Sequence, residues 1–556
     1  MNAPLFSDKQ TNSPAWQRLS ALAARLNPPE HLLASLLEQD NRSADFMRHA
    51  SGLAFDFTRQ RITRDVFHAL MQLAAETGVH ERFQALARGE TVNTTENRQV
   101  LHMVCRDQEG KLLLNPQAQS TAARIHTERE RILSFAESVI DETVTGCTGK
   151  PFQDIVVIGI GGSHLGTRAI HAALSPLFGT RFRLYFLTSV YGGQFHQVIQ
   201  DVRPDQTLFI FISKSFKTIE SISNAGLVAE FMRSHGLSPE QHWVTISNAN
   251  AHDRIPGDGA GDILARFIVE ASIGGRYSVT STVGILPLAL SLGVDTVRRF
   301  LRGCADMDHH ALSAPAGRNL PLISAMISVW NNHFLGYPAV AVVPYLSILR
   351  DFISHLQQLY MESNGKQITN KAAGISDAAS SVFLFGEVGT DAQHSFFQLA
   401  HQGRPLPIEF IGTLTPVFAS DQNLTSEGVT RHMEMWSNLL AQADSLALGF
   451  THPSDPNRFY PGNRPSSILT LDAYTPETVG ALLSFYEART IFEGFVWGIN
   501  PFDQFGVERG KTIAADYRNA FKAMDPAAPL PASSLPEIRT TGTDYIRAVS
   551  AGAWQK

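Results

Sequence analysis

The chain has 556 residues, of which 44% are hydrophobic and 18% are charged. This length exceeds one ordinary hydrophobic core, so we expect a soluble globular protein with two or more domains. The formal net charge of −6 shows no excess of basic residues, which argues against a nucleic-acid-binding protein. The three cysteines, Cys105, Cys147 and Cys304, lie far apart and match no metal-ligand spacing, which indicates a reducing compartment.

No secretion or membrane signal stands out in the sequence. Residues 1–17 contain no basic segment followed by an apolar run, which a signal peptide would have. The two most apolar stretches, 283–294 and 320–346, are too short or are interrupted by polar residues, so neither is expected to span a membrane. We therefore expect a cytoplasmic protein with neither a membrane nor a nucleic acid as partner.

The predicted secondary structure, taken in chain order, changes character at Asp154. Before about residue 125, the sequence is predicted to be helical and irregular. From Asp154 onwards, patterns typical of buried strands alternate with helical ones. The first group has strands at 155–158, 183–187, 207–212 and 242–247, with helices at 163–174 and 218–234. The second group has strands at 339–343, 382–385 and 406–411, with helices ending at Glu362 and spanning 426–448 and 476–494.

This alternation predicts an α/β fold with parallel sheets that are covered by helices on both faces. We expect two such domains, at 126–290 and 291–515. An N-terminal helical or irregular region at 1–125 precedes them, and a C-terminal arm at 516–556 follows. A proline-rich segment at 526–536 is the clearest sign of that arm.

Two loops that follow predicted strands are suited to an anionic ligand. The glycine-rich segment 159–166 precedes a helix, where the backbone can approach a ligand and the helix N-terminus favours an anion. The next loop holds Ser213, Lys214, Ser215 and Thr218, whose hydroxyls and charge suit a phosphate monoester. Tight packing of the glycines and simple N-capping by the hydroxyls are the structural alternatives.

A dinucleotide site is the competing interpretation of the glycine-rich loop. His164 occupies the place of the third glycine in that fingerprint, and no acidic residue ends the following strand at 184–190. A nicotinamide-dependent oxidoreductase is therefore disfavoured.

Glu362 and Arg276 are candidate catalytic groups. Glu362 ends an amphipathic helix, where partial desolvation favours a carboxylate as a general base. Arg276 follows two glycines, so its guanidinium can reach a pocket and stabilise a developing oxyanion. A helix C-cap at Gly365 and a surface turn at 274–278 are the structural alternatives.

His394 and Lys511 are weaker candidates when each is taken alone. His394 lies between a predicted strand and a helix, which is a common location for active residues in α/β folds. A single histidine is nevertheless more often structural, and helical geometry would normally leave Lys511 in solvent.

Taken together, these segments resemble the glucose-6-phosphate isomerase family. The resemblance covers most of the chain, and the matching segments follow one another in the same order as in the family. Its most specific parts are the Glu-Ser-Asn-Gly-Lys segment at 362–366 and the segment at 502–511. The matching segments are 93–98, 100–102, 159–166, 213–218, 274–278, 357–366, 389–394, 401–403, 406–412, 463–466 and 502–511.

The resemblance implies two sugar-isomerase-type (SIS) αβα sandwich domains, a homodimer, and no metal or organic cofactor. The implied reaction is the interconversion of glucose 6-phosphate and fructose 6-phosphate in glycolysis and gluconeogenesis. Glu362 would move a proton between C2 and C1, and Arg276 would stabilise the enediolate. His394, reaching the site from the partner subunit, and Lys511 would serve ring opening. The implied substrate and phosphate contacts are Gly162, Ser163, Ser213, Lys214, Ser215, Thr218, Gln358 and Gln504.

The sequence departs from the family pattern beside the predicted pocket. The departures are His164, the turn at 189–193, Ile219, Val388, Asp391 and Ala392. None of them removes a proposed catalytic group, so they bear on substrate affinity more than on reaction type. Activity on mannose 6-phosphate and a non-catalytic sugar-phosphate-binding regulator of the same fold are the alternative functions.

Overall fold

The computed structural model describes residues 13–26, 28, 31–249, 263–367, 381–523 and 540–551. The chain divides into two compact units, Met1–Phe502 and Asp503–Lys556. The first unit holds all three sheets of the described residues, of which the smallest pairs Phe450–Thr451 with Phe459–Tyr460, and most of the candidate site residues. The boundaries that the sequence suggests for two separate α/β domains stay a prediction.

The strands of the described residues are numbered in chain order. They are β1 (Met47–Ala50), β2 (Leu53–Asp56), β3 (Asp154–Ile158), β4 (Arg183–Leu187), β5 (Thr207–Ile212), β6 (Trp243–Ser247), β7 (Ala265–Ile268), β8 (Ala339–Pro344), β9 (Phe383–Gly386), β10 (Ile408–Thr413), β11 (Phe450–Thr451), β12 (Phe459–Tyr460) and β13 (Ser466–Leu471).

The α-helices of the first unit surround these strands. They span Pro14–Ala24, Leu33–Leu37, Arg42–Phe46, Arg64–Glu76, Val79–Ala87, His102–Arg106, Pro116–Ile140, Leu165–Phe178, Gly192–Asp201, Ile219–Ser234, Thr282–Leu292, Val294–Ser313, Leu320–Val329, Arg350–Gln357, Gly389–Gln393, Phe397–Gln402, Arg431–Leu448 and Pro476–Val496. None of the helices in the described part of the chain is both long and apolar enough to cross a lipid bilayer.

A five-stranded sheet forms the first half of the α/β architecture. Its order is β4-β3-β5-β6-β7, and every neighbouring pair is parallel. All residues of β3 and β5 are buried, as expected for central strands that are covered by helices on both faces. The predicted α/β fold with parallel sheets is confirmed.

A six-stranded sheet forms the second half, in the order β1-β2-β13-β10-β8-β9. The strands β13, β10, β8 and β9 are parallel, whereas β1 and β2 form an antiparallel hairpin at the edge. The hairpin turn uses Ser51 at φ 51° and Gly52 at φ 74°, the left-handed pair that two-residue hairpins favour. Neither strand was predicted from the sequence of this N-terminal region, because each has only four residues.

The helix Pro476–Val496 lies at the centre of the first unit, and all but one of its residues are buried. It carries three buried side chains of acidic or basic residues, Glu487, Arg489 and Glu493. Each of them contacts an oppositely charged or hydroxyl group from another element, as buried charges require.

The second unit contains the helices Glu508–Ala523 and Thr540–Ala551. Gln504 precedes a short 3₁₀ turn at Phe505–Val507, and Lys511 lies in the first turn of the first helix with its side chain exposed. The predicted proline-rich start of a C-terminal arm, at 526–536, lies outside the described residues.

Candidate active site

Glu362 is the last residue of a widened helical turn. The α-helix Arg350–Gln357 continues as a π-helical turn over Gln358–Glu362, so the predicted helix ending at Glu362 is present with a different last turn. Leu359 and Tyr360 of this turn are buried, whereas the Glu362 side chain is 22% exposed. Single π turns inside α-helices occur frequently at functional sites. The carboxylate is therefore partly shielded yet accessible.

Arg276 faces this carboxylate and is itself held by two further acceptors. Its Nη1 lies 3.4 Å from Oε2 of Glu362, and its side chain is 1% exposed. Nε donates to the hydroxyl of Ser363 at 2.6 Å, and Nη2 donates to the carbonyl of Pro501 at 2.7 Å. The Tyr277 hydroxyl lies 3.0 Å from the same Ser363 hydroxyl. The guanidinium is thus fixed beside Glu362, where it can stabilise negative charge on a bound molecule.

The glycine-rich loop packs directly against the segment that carries Arg276. A Cβ atom at Gly162 would lie 2.3 Å from the carbonyl carbon of Gly275, so only glycine allows this approach. The Ser278 hydroxyl donates to the carbonyl of Gly162 at 3.1 Å. On the other side, a Cβ at Gly161 would lie 3.3 Å from Nε2 of Gln358. The structure therefore brings the predicted residues of this loop together with Gln358, Arg276 and the turn that ends at Glu362.

The loop between β5 and the helix Ile219–Ser234 presents hydroxyls at a helix N-terminus. The Ser213 Oγ is buried and has no hydrogen-bond partner among the residues that the structure describes. Thr218 is the N-cap residue, but its side chain makes no capping hydrogen bond. Phe216 has a φ of 53°, a left-handed conformation that is costly for a non-glycine residue and is typical of functional loops. These features favour anion binding over simple N-capping.

Lys214 links this loop to the segment that carries Arg276. Its Nζ donates to the carbonyl of Ile273, three residues before Arg276. The pKa of Lys214 is lowered to about 8, mainly by burial and also by the nearby guanidinium groups of Arg98 and Arg276, whereas Glu96 opposes the change. Glu96 and Arg98 also form an ion pair at 3.3 Å. Both residues lie in a segment that carries the family resemblance, but no site role was predicted for either from the sequence.

Asn500 ties the segment after the central helix to the N-terminal part of the chain. Its Nδ2 donates to Oδ1 of Asn93 at 2.8 Å and to the Thr95 hydroxyl at 2.6 Å, and its Oδ1 accepts from the Phe502 amide at 3.1 Å. These contacts hold the Pro501 carbonyl in its position against Arg276.

His394 is placed apart from this group of residues. It follows the helix Gly389–Gln393, its side chain is exposed, and the described residues show no contact between it and Glu362 or Arg276. The preceding Glu387 and Asp391 both pair with Arg350, the first residue of the helix that leads to Glu362. Gln504 and Lys511 belong to the second compact unit and are described only within it.

The assembled groups supply the parts of a proton-transfer site for an anionic substrate. Glu362 is a carboxylate beside a fixed guanidinium, and the loop at 213–218 offers hydroxyls, a lysine and a helix N-terminus. Within the described ranges, no three histidine, cysteine, aspartate or glutamate side chains converge closely enough to hold a metal ion.

Comparisons with known proteins agree with this chemistry. A family model described as "Phosphoglucose isomerase" matches residues 56–532. The chain is 45% identical to the glucose-6-phosphate isomerase of Desulfosudis oleivorans, over 93% of this chain and 94% of that protein. It is 36% identical to the cytosolic glucose-6-phosphate isomerase of Spinacia oleracea, over 92% and 91% of the two chains. The crystal structure of a glucose-6-phosphate isomerase from Chlamydia trachomatis superimposes with a TM-score of 0.85 at 33% identity, covering 94% of this chain and 98% of that chain.

Proposed function

The chain belongs to the phosphoglucose isomerase family, and we propose that it interconverts glucose 6-phosphate and fructose 6-phosphate. An aldose-ketose isomerisation moves a proton between adjacent carbons through an enediolate. It requires a base for a weak carbon acid, a cation for the intermediate and an anchor for the phosphate. The single observation that carries this proposal within the site is the 3.4 Å contact between Arg276 and Glu362.

Glu362 acts as the base that takes the proton from C2 and returns it to C1. A single carboxylate can serve both carbons because the proton stays on the same face of the planar enediolate. Arg276 stabilises the negative oxygen of this intermediate. Its burial and its hydrogen bonds to Ser363 and Pro501 support this role, because a preoriented donor needs no reorganisation when charge develops.

The phosphate binds at the loop between β5 and the following helix. Ser213, Ser215 and Thr218 donate their hydroxyls to it, and Lys214 supplies a positive charge. The helix N-terminus and the left-handed backbone at Phe216 support this placement. We assign the other substrate contacts to Gly162, Ser163, Gln358 and Gln504, as the family resemblance implies.

Ring opening requires proton transfer at the ring oxygen and at the C1 hydroxyl, and we assign it to His394 and Lys511. His394 acts from the partner subunit of a homodimer. The exposed side chain of His394 in a single chain supports this assignment, because a histidine that serves a neighbouring subunit must face outwards. The protein acts in the cytoplasm, in line with the cytosolic plant relatives.

A coupled assay with glucose 6-phosphate, fructose 6-phosphate and mannose 6-phosphate tests this function. We expect rapid interconversion of the first two and little or none of the third. Efficient conversion of mannose 6-phosphate would indicate the broader isomerase. Binding of all three sugars without turnover would indicate the non-catalytic regulator.

A further inference from the structure

The turn that carries Glu362 is anchored from behind by a buried polar network. The Tyr360 hydroxyl donates to Oε1 of Glu493, and the Ser328 hydroxyl donates to the same oxygen at 2.9 Å. Tyr360 is 2% exposed and Glu493 is fully buried. Because a buried hydrogen bond is electrostatically stronger than one in water, this network restrains the π turn.

A second contact restrains the residues just after Glu362. Nδ2 of Asn364 donates to the carbonyl of Thr490 at 3.1 Å. Thr490 and Glu493 are both on the buried helix Pro476–Val496. This one helix therefore contacts the chain both before and after the proposed base, at Tyr360 and at Asn364.

The network also reaches the six-stranded sheet. Arg489, one turn before Glu493, pairs with Glu409 of β10 at 2.6 Å, and its guanidinium carbon lies 5.7 Å from the Tyr360 ring centroid. The back of the turn is therefore connected to the sheet as well as to the helix, whereas its front presents Gln358 and Glu362 to the site.

We propose that Glu493, acting through Tyr360, is a positioning residue that sets the geometry of Glu362 for proton transfer. This inference rests on the proposed function. A π turn lacks the regular hydrogen bonding of an α-helix and keeps its shape here through side-chain contacts. Without the Tyr360–Glu493 contact, the turn relaxes and the carboxylate moves relative to C1 and C2. Misplacement by about 1 Å can cost a hundredfold in rate.

The chain offers a matched control on the same helix. Glu487 is fully buried and pairs with Arg106, which also binds Asp308 at 2.7 Å. This second network resembles the first in burial and charge but has no contact with the π turn among the described residues. A variant at Glu487 therefore reports the stability cost of disturbing a buried carboxylate in the helix without disturbing Glu362.

The test compares Tyr360→Phe, Glu493→Leu, Glu493→Gln and Glu487→Gln in the full-length protein, with fructose 6-phosphate as substrate. We measure kcat, KM, the melting temperature and the deuterium taken up from D₂O per turnover. Tyr360→Phe and Glu493→Leu are expected to lower kcat by about ten- to a hundredfold with KM within about twofold. They also raise deuterium uptake per turnover, because a displaced carboxyl group exchanges its proton with water before returning it.

The conservative variant and the control complete the test. Glu493→Gln keeps an acceptor for Tyr360 and restores most of kcat, whereas Glu487→Gln lowers the melting temperature but leaves kcat and deuterium uptake within about twofold of the parent. If Tyr360→Phe and Glu493→Leu behave like Glu487→Gln, the network is only structural and the inference is wrong. If the parent does not convert fructose 6-phosphate, the proposed function itself fails. If Glu362→Gln keeps the parental rate, the assignment of Glu362 as the base fails, and both results differ from that of the network variants.

Discussion

Nη1 of Arg276 lies 3.4 Å from Oε2 of Glu362, and the two residues follow strands of different sheets. Arg276 comes after β7 of the five-stranded sheet, whereas Glu362 ends the helical segment after β8 of the six-stranded sheet. The pair therefore forms only when both sheets are packed together. This placement explains why neither half of the α/β architecture contains the proposed proton-transfer site alone.

Replacement of Arg276 by lysine tests the role of the guanidinium. Lysine keeps the charge but cannot donate to Ser363 and Pro501 while facing Glu362, because its compact ammonium group lacks the three spread nitrogens of a guanidinium. We expect kcat to fall by about 10²- to 10³-fold with little change in KM. Steady-state kinetics with fructose 6-phosphate measures both constants. An increase in KM at unchanged kcat would show that Arg276 binds the substrate without stabilising the intermediate.

Replacement of Ser213 and Thr218 by alanine tests the phosphate site. Each lost charge-assisted hydrogen bond costs about 1.5–3 kcal/mol of binding, so KM should rise with a smaller change in kcat. Inorganic phosphate should inhibit the parent competitively and the double variant more weakly. Ser238→Ala is a suitable control, because Ser238 is also an N-cap residue without a side-chain capping bond. Equal inhibition of all three proteins would place the phosphate elsewhere.

The buried carboxyl of Glu487 should make stability depend on pH. Burial raises the pKa of Glu487 to about 7 although Arg106 opposes the change. Because the folded-state pKa lies above the ordinary glutamate value of 4.5, the folded protein binds a proton more tightly than the unfolded chain. The resulting stabilisation is complete below about pH 4.5 and is lost as the pH rises through about 7.

Glu487→Gln removes this titration and allows its measurement. We expect the parent to lose stability relative to the variant between pH 5 and pH 8. The change is of the order of a few kcal/mol, since one pKa unit corresponds to about 1.4 kcal/mol. Melting temperatures of both proteins at the two pH values measure the effect. A gap between the melting temperatures that does not change with pH would show that Glu487 keeps its charge throughout this range.

Subunit exchange tests whether His394 acts on the partner's substrate. The variants His394→Ala and Glu362→Gln should each be nearly inactive. In a mixed dimer, one site then carries both defects and the other carries neither. Random exchange makes about half of the dimers mixed, so activity should recover to roughly a quarter of the parental value per site. No recovery after demonstrated exchange would place both residues in one chain's site.

Much of the sheet architecture was predictable because the central strands are continuous apolar runs. All residues of β3 and β5 are buried, and their predicted bounds lie within one residue of those in the structure. The strand β13 was not predicted, although it is fully buried as well. Its Ser466, Ser467 and Thr470 break the apolar pattern, and its strand character depends on pairing with β10 and β2.

The sequence identified several residues of the candidate site, but the way in which these residues contact one another was less predictable. The helical period placed Glu362 at a helix end, but the π turn and the contact of its Tyr360 with Glu493, from a helix far along the chain, are visible only in the folded structure. Likewise, Arg276 was recognisable as a candidate, whereas its contacts with Ser363 and Pro501 arise only in the folded chain. Tertiary contacts between distant segments carry no local sequence signal.

The most direct test of the central claim is the exchange of substrate hydrogen with solvent in Glu362→Gln. Glutamine keeps the size of the side chain but cannot accept the C2 proton. In D₂O, the parent should place deuterium at C2 of glucose 6-phosphate during isomerisation. We expect the variant to fold, to bind substrate, and to lose both isomerisation and exchange by about 10²–10⁴-fold or more. Exchange at near the parental rate would contradict the account, because another group would then be the base.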